Sequence, residues 1–295
     1  IDLSNADLEN SNLSSMFEGC TGLTFVDMSG ANLSNATISN IFKGCSSLET
    51  ANLANLTIYN TPMSGLFNGC GQLKTVDISG NNFDGANLSK MFYGCAELTS
   101  VNISGSVFNN NNISSMFEGC ASLTNNSVNF ASVEFKNVTN MQGLFKGCTG
   151  LTSIKIENLS INSTATSYNT VTKDMFYGCD NLKTIDFPAW SANNRDQFVY
   201  MVSSAPAIET LKVPDWEIQN LNMASKAFTC MKKSTLKTVD MSNWDFKDST
   251  TLHQAFYECS NLESLDLSGW KISKVTTLED TFHGCTNLRT LDLTG

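Results

Sequence analysis

Three carboxylates at constant spacing, Asp240, Asp266 and Asp292, come nearest to a reactive constellation in this chain. If their 26-residue interval is a structural repeat, they stack about 5 Å apart, the separation of the two acids in a retaining glycosidase. Such a pair needs one acid whose pKa is raised by burial, and an open, solvated face does not supply that. The two histidines, His253 and His283, fall in different slots, three before and one after a recurring Phe, so they form no matched pair. No G-x-S-x-G elbow, Walker loop or H-E-x-x-H helix is present. The chain therefore reads as no enzyme, with no cofactor.

The same slot holds Lys155, Asp186 and Lys212 earlier in the chain, and Asp27, Asn52, Asp77 and Asn102 before those. Two readings stay open: a solvated sheet face whose alternation keeps like charges apart, or a polar recognition strip, with a cation at the last three Asp. Four residues after this slot stand all four tryptophans, Trp190, Trp216, Trp244 and Trp270. They are either core and edge packing or, where a rim is exposed, contact area for a protein or glycan. Nine of ten cysteines share a further slot, three residues after the Phe. A buried, reduced ladder is favoured over disulfides, because the chain has a continuous core. No C-x-x-C pair or Cys/His cluster points to zinc or another metal. Eleven Asn-x-Ser/Thr sequons could accept glycans, although Asn12, Asn87 and Asn112 already have a capping task.

These slots need elements to position them. The core Phe-x-Gly-Cys-x-x-Leu recurs at Phe17, Phe42, Phe67, Phe92, Phe117, Phe145, Phe176 and Phe282, every 25 residues over the first five copies. With degraded copies this makes about eleven repeats, and a fixed period of this length signals a solenoid. In the repeat from Asn87 to Asn112, Leu88, Met91, Phe92 and Cys95 fall at i, i+3, i+4 and i+7, which predicts a short helix with Asn87 as N-cap. From Leu98 the period changes to two, Val101 and Ile103 flanking Asn102, which predicts a strand. A second alternating pair, as in Val133/Phe135 or Trp270/Ile272, predicts a short extended segment on the opposite side. The fold class expected is thus an α/β repeat: a leucine-rich-repeat-type solenoid with a parallel β-sheet on one face and short helices in each repeat. Residues 1–295 read as a single domain. Ile1-Asp2-Leu3-Ser4 and Leu291-Asp292-Leu293-Thr294 enter and leave in mid-repeat, so a fragment of a longer chain is expected.

The run from Met91 to Ser104, repeated in eight full or near-full copies, resembles the BspA-like leucine-rich repeats, the bacterial surface protein 26-residue repeat. The resemblance covers essentially the whole chain. It departs at Tyr200 to Ala207 and at Thr229 to Ser234. It implies an extracellular or cell-surface adhesion protein that binds a protein or glycan on another cell, host or matrix surface. A net charge of -10 argues independently against nucleic acid and anionic membranes. No apolar run reaches the length of a membrane span. The alternative is a passive stalk or assembly scaffold, with self-assembly left open. A stalk predicts monotony along the exposed slot, and the last six repeats vary, so recognition is placed between Lys155 and Asp292.

Overall fold

The computed structural model describes residues 1–128, 133, 135–156, 159–161, 171–187, 191–192, 205–215, 217–218, 235–245 and 250–295. The chain winds as a parallel β-solenoid. Strands Phe25–Asp27, Thr50–Asn52, Thr75–Asp77 and Ser100–Asn102 pair in sequence order, each residue facing its counterpart 25 positions on. A single bridge, Val101 to Val128, extends this stack. Six further strands, Ser153–Lys155, Thr184–Asp186, Thr210–Lys212, Thr238–Asp240, Ser264–Asp266 and Thr290–Asp292, form a second parallel sheet in the same order. The predicted second segment forms a third sheet, with strands Phe108–Asn109, Phe135–Val138, Leu159–Ile161, Ser191–Ala192 and Glu217–Ile218.

The short helices do not form: the described residues contain turns where they were expected. Leu88, Met91, Phe92 and Cys95 are all buried, as a helical face would bury them. Their amides, however, are committed elsewhere. Phe92 and Gly94 donate to Met116 and Glu118 of the next coil at 2.9 and 2.7 Å, while Met91 and Cys95 close turns onto Leu88 and Phe92. Helical i to i−4 bonding would compete for the same donors. Lys90 and Gly94 also stand at φ +57° and +72°, which breaks any helical run. The capping residues still cap, in a different motif. Asn87, Asn112 and Asn140 each accept the amide two residues on, at 3.0 Å, so their oxygens organise turns.

The unit beneath the 25-residue coil is a five-residue step. Leu3, Leu8 and Leu13 donate to the coil above at 2.7 to 2.9 Å, and Ala6, Ser11 and Met16 close turns onto them. Asn5, Asn10 and Ser15 take positive φ at the third turn position, where a type II turn requires it. Five such steps return the chain to its starting corner, so equivalent side chains stack in columns.

Inside, those columns form the core. Phe42, Phe67 and Phe92 are fully buried, with ring centroids 5.6 and 5.8 Å apart and planes within 10°. Similar stacking joins Phe117, Phe145 and Phe176. The Gly of the Phe-x-Gly-Cys signature is explained at Gly94: it has positive φ, and a Cβ there would already touch the Gly69 backbone at 3.8 Å. Truncating Phe67 to Ala should leave a cavity between two rings and lower stability by about 3–5 kcal/mol. Because each coil contacts only its neighbours, urea unfolding should also become less cooperative, the two flanks melting apart. Denaturation followed by circular dichroism would show both effects.

Candidate recognition face

The strand slots predicted from sequence come together as columns. Lys155 pairs with Asp186, Asp186 with Lys212, Lys212 with Asp240, Asp240 with Asp266 and Asp266 with Asp292, all in register. Between them Ile154, Ile185, Leu211, Val239 and Leu265 turn into the core. The polar members therefore lie on the outer face, Lys155, Lys212 and Asp292 exposed and the other three half-buried.

Seven acidic or amide members of this column also have a local task. Oδ1 of Asp27, Asp77, Asp240, Asp266 and Asp292 accepts the amide two residues on, at 2.8 to 3.0 Å. Asn52 and Asn102 do the same at 3.2 Å. At Asp292 that amide, from Thr294, holds the carboxyl below the usual range. At Asp77 burial works upward, but the Ser79 and Asn102 hydrogen bonds outweigh it and the pKa is lowered. The two halves differ at the second oxygen. Asn52 and Asn102 donate from Nδ2 to Oδ2 of Asp27 and Asp77, at 3.3 and 3.1 Å, joining adjacent coils by a neutral bridge. Asp240, Asp266 and Asp292 have carboxylates as column neighbours, so the like charges are not interleaved.

A second charged column lies three residues earlier: Lys183, Glu209, Lys237, Glu263 and Arg289. Lys183 reaches Glu209 at 3.1 Å, and Arg289 lies 3.9 Å from Glu263. Sequence reasoning missed this column, although its sign alternates at the repeat spacing. Taken with Asp186, Lys212, Asp240, Asp266 and Asp292, it makes a checkerboard in which every strand carries one charge of each sign, except Glu263/Asp266. The negative surplus of this face is therefore centred on Asp266. No group of three His, Cys, Asp or Glu side chains among the described residues is disposed to hold a metal ion.

The tryptophans divide. Trp190 and Trp216 lie outside the described residues. Trp244 is fully buried and donates its indole N–H to Val213 C=O at 2.5 Å, so it is a core side chain. Trp270 is half-buried, bonded to Met241 C=O at 2.6 Å, and packs 6.3 Å from Phe256. Each histidine is engaged by an adjacent coil: His283 stacks on Tyr257 at 5.0 Å, and His253 Nδ1 lies 3.6 Å from Glu279.

The cysteine column is built from thiol donors. Cys45, Cys70, Cys95, Cys120, Cys148 and Cys179 each donate to the carbonyl of the Phe in the preceding coil at 2.9 to 3.2 Å. Burial pushes Cys70, Cys120 and Cys179 up to about 12. At the far end a hydrogen bond from Cys259 lowers Cys285 to about 7. Cys230 lies outside the described residues.

In sequence, the family model described as "Mycoplasma protein of unknown function, DUF285" matches three overlapping stretches, residues 11–130, 111–237 and 211–294. No curated protein matches the chain. Among solved structures, a leucine-rich repeat protein from Bacteroides ovatus is similar in fold: TM-score 0.51, 18% identity, over 95% of this chain and 70% of that one. A chain of the mouse RP105/MD-1 complex matches at TM-score 0.46 and 15% identity, over 95% of this chain. This chain spans 43% of that mouse chain's length. A leucine-rich cell surface protein from Faecalibacterium prausnitzii matches at TM-score 0.35 and 18% identity, over 92% of this chain and 79% of that one. No helix among the described residues is long and apolar enough to cross a membrane.

Two outcomes follow for the thiols. Iodoacetamide should modify exposed Cys20, and Cys285 with a midpoint near pH 7, while Cys70, Cys120 and Cys179 stay unmodified at pH 8 until urea unfolds the chain. The buried thiols have folded pKa values above their unfolded ones, so the unfolded chain loses protons first as pH rises. Stability should therefore fall between about pH 9 and 12, while below that window these groups contribute in full and give no pH dependence. Urea midpoints measured against pH would check the sign.

Proposed function

The chain belongs to the DUF285 family, its repeats are of the BspA-like leucine-rich type, and we propose that it is a non-enzymatic recognition module binding a protein or glycan partner through the outer sheet face of its C-terminal half. The observation that carries this reading is the in-register run Asp240, Asp266 and Asp292, where the Asn–Asp bridging of the N-terminal half gives way to three carboxylates in succession, with Asp266 beside Glu263 at their centre. Coulomb repulsion between like charges about 5 Å apart costs stability and gives the fold nothing, since Asn serves the same turns at Asn52 and Asn102. A partner with a basic patch would turn that cost into attraction, speeding encounter in a way that salt weakens. Half-buried Trp270 lies four residues past Asp266, in the middle coil of this run, and supplies an aromatic edge for the same contact. Such a module acts at a cell surface or outside the cell. The second reading, a stalk, is favoured by the sign-alternating balance of the remaining columns.

Asp to Asn substitution tests this cleanly, because Asn is already native to the column and preserves the turn. The triple variant D240N/D266N/D292N and the control pair D27N/D77N would be compared with the parent on arrays of purified matrix proteins and glycans at 50 and 300 mM salt. The reading predicts a bound protein or glycan whose signal falls about tenfold in the triple variant and hardly at all in the control. An array bound by none of the three chains would favour the stalk, and equal binding by all three would move the contact off this column.

A further inference from the structure

Among the described residues from 1 to 128, the ladder joining successive coils is interrupted at one place. In regular coils an amide donates to the carbonyl 24 residues later: Leu33 to Thr57 at 2.8 Å and Asn35 to Tyr59 at 2.7 Å, then Phe83 to Val107 at 2.9 Å and Gly85 to Asn109 at 2.8 Å. The intervening rungs, Ile58 to Asn82 and Asn60 to Asp84, are missing. Among the described residues neither amide has a carbonyl partner, and no bridge joins Thr57 to Asn82, although Asn32–Thr57 and Asn82–Val107 bridge on either side. The lips enclose a cleft of about 730 Å³ lined by Ile58, Tyr59, Asn60, Asn82, Asp84 and Asn87, among others.

The sequence explains the opening. Pro62 replaces the Thr37 of the coil before, whose amide donates to Ser11 at 2.9 Å; Pro has no amide to give, so this coil is held less tightly to the coil before it, and its fixed φ sets the path of the chain just past the lip. Thr61, where that coil has Ala36, buries its hydroxyl by donating to Leu33 C=O at 2.7 Å. Asn81 is buried beneath the cleft: its Oδ1 takes the Leu56 amide at 2.7 Å, and its Nδ2 donates to Leu53 and Ile78 C=O at 2.8 Å. These polar side chains stabilise the opened corner from within. The ladder resumes on both sides, at Asn55 to Ser79 and, past a third missing rung from Met63 to Asn87, at Gly65 to Ser89, so the parting is confined between them.

We propose that this cleft binds an extended peptide segment of a partner protein as an added parallel strand between the two coils. The unmet groups decide the ligand class. One lip presents N–H groups at Ile58 and Asn60, the other C=O groups at Asn82 and Asp84, each pair two residues apart. A peptide backbone carries acceptors and donors at that pitch, alternating to opposite edges. Its carbonyls would accept from Ile58 and Asn60, and its amides would donate to Asn82 and Asp84. Exposed Tyr59, Asn60, Asn82 and Asn87 then face its side chains. The site is separate from the C-terminal face, so either can fail without the other.

The test uses amide hydrogen exchange of the whole chain. The probe is an N-acetylated, C-amidated peptide copying residues 31–38, which already pair with this coil from its other side. In the free chain, the Ile58 and Asn60 amides should exchange at least about tenfold faster than those of Leu33, Asn35, Phe83 and Gly85. Millimolar peptide should slow them about tenfold, and the same peptide N-methylated at alternate residues should not. The variant Y59S/T61A/P62T, which restores the residues of the preceding coil, should protect Ile58 and Asn60 unaided and lose the peptide effect. Slow exchange in the free parent chain, no response to the peptide, equal protection by the methylated peptide, or a peptide effect that survives in the variant would each overturn the proposal.

Discussion

The constraint on which the rest of the structure depends is the commitment of backbone amides to the neighbouring coil. A buried or half-buried amide needs a carbonyl, and here the next coil supplies it at a fixed offset of 24 residues through the regular part of the chain. Once that offset is set, like residues must stack on like. Phe meets Phe, each thiol finds the carbonyl of the preceding Phe, and Asn reaches Asp. The Phe-x-Gly-Cys signature is thus the side-chain record of a backbone register. Its one full-length exception illustrates the cost: Glu258 stands in the Gly slot at φ +57°, and a Cβ on Gly284 above it would approach its Cα to 3.1 Å.

The strands and columns were legible in the sequence, because period two leaves little choice once one face is apolar. Val76, Val101 and Val239 are inside, and their flanking residues are out, as alternation requires. The helix was misread for a definite reason. Spacings of three, four and seven between Leu88, Met91, Phe92 and Cys95 belong equally to a helical face and to successive turns around an inner corner. The signal that separates them was present: Asn5, Asn10 and Ser15, or Asn35 and Asn40, recur at intervals of five, which suits a left-handed turn position and has no place in a helix. The 25-residue period masks the shorter one within it.

Of the candidate face, the column from Lys155 to Asp292 followed directly from strand alternation, but the depth of Trp244 did not. Alternation says which way a strand residue points, whereas Trp244 lies past the strand, where the direction of the corner decides. There the indole N–H satisfies the Val213 carbonyl of the preceding coil, a contact that sequence spacing does not encode. The second charged column, Lys183 to Arg289, sits just before the strands, where alternation within a strand does not reach. Its alternation matters because it identifies Glu263/Asp266 as the one like-charged strand among neighbours that balance.

Stacking of this kind makes local departures tolerable, and function is most economically placed where regularity lapses. Each coil depends on two neighbours, so a lost rung or an unbalanced charge is carried by the ladder around it instead of spreading through a shared core. At Ile58 and Asn60 the lapse is in the backbone, and intact rungs at Asn55 and Gly65 confine it to one corner. At Asp266 the lapse is in side-chain charge, while the backbone pairing to Asp240 and Asp292 stays in register. A compact domain with one three-dimensional core would transmit either disturbance to residues far away in sequence. In the solenoid the two irregularities are separated by coils that contact neither, which leaves each free to vary without altering the other.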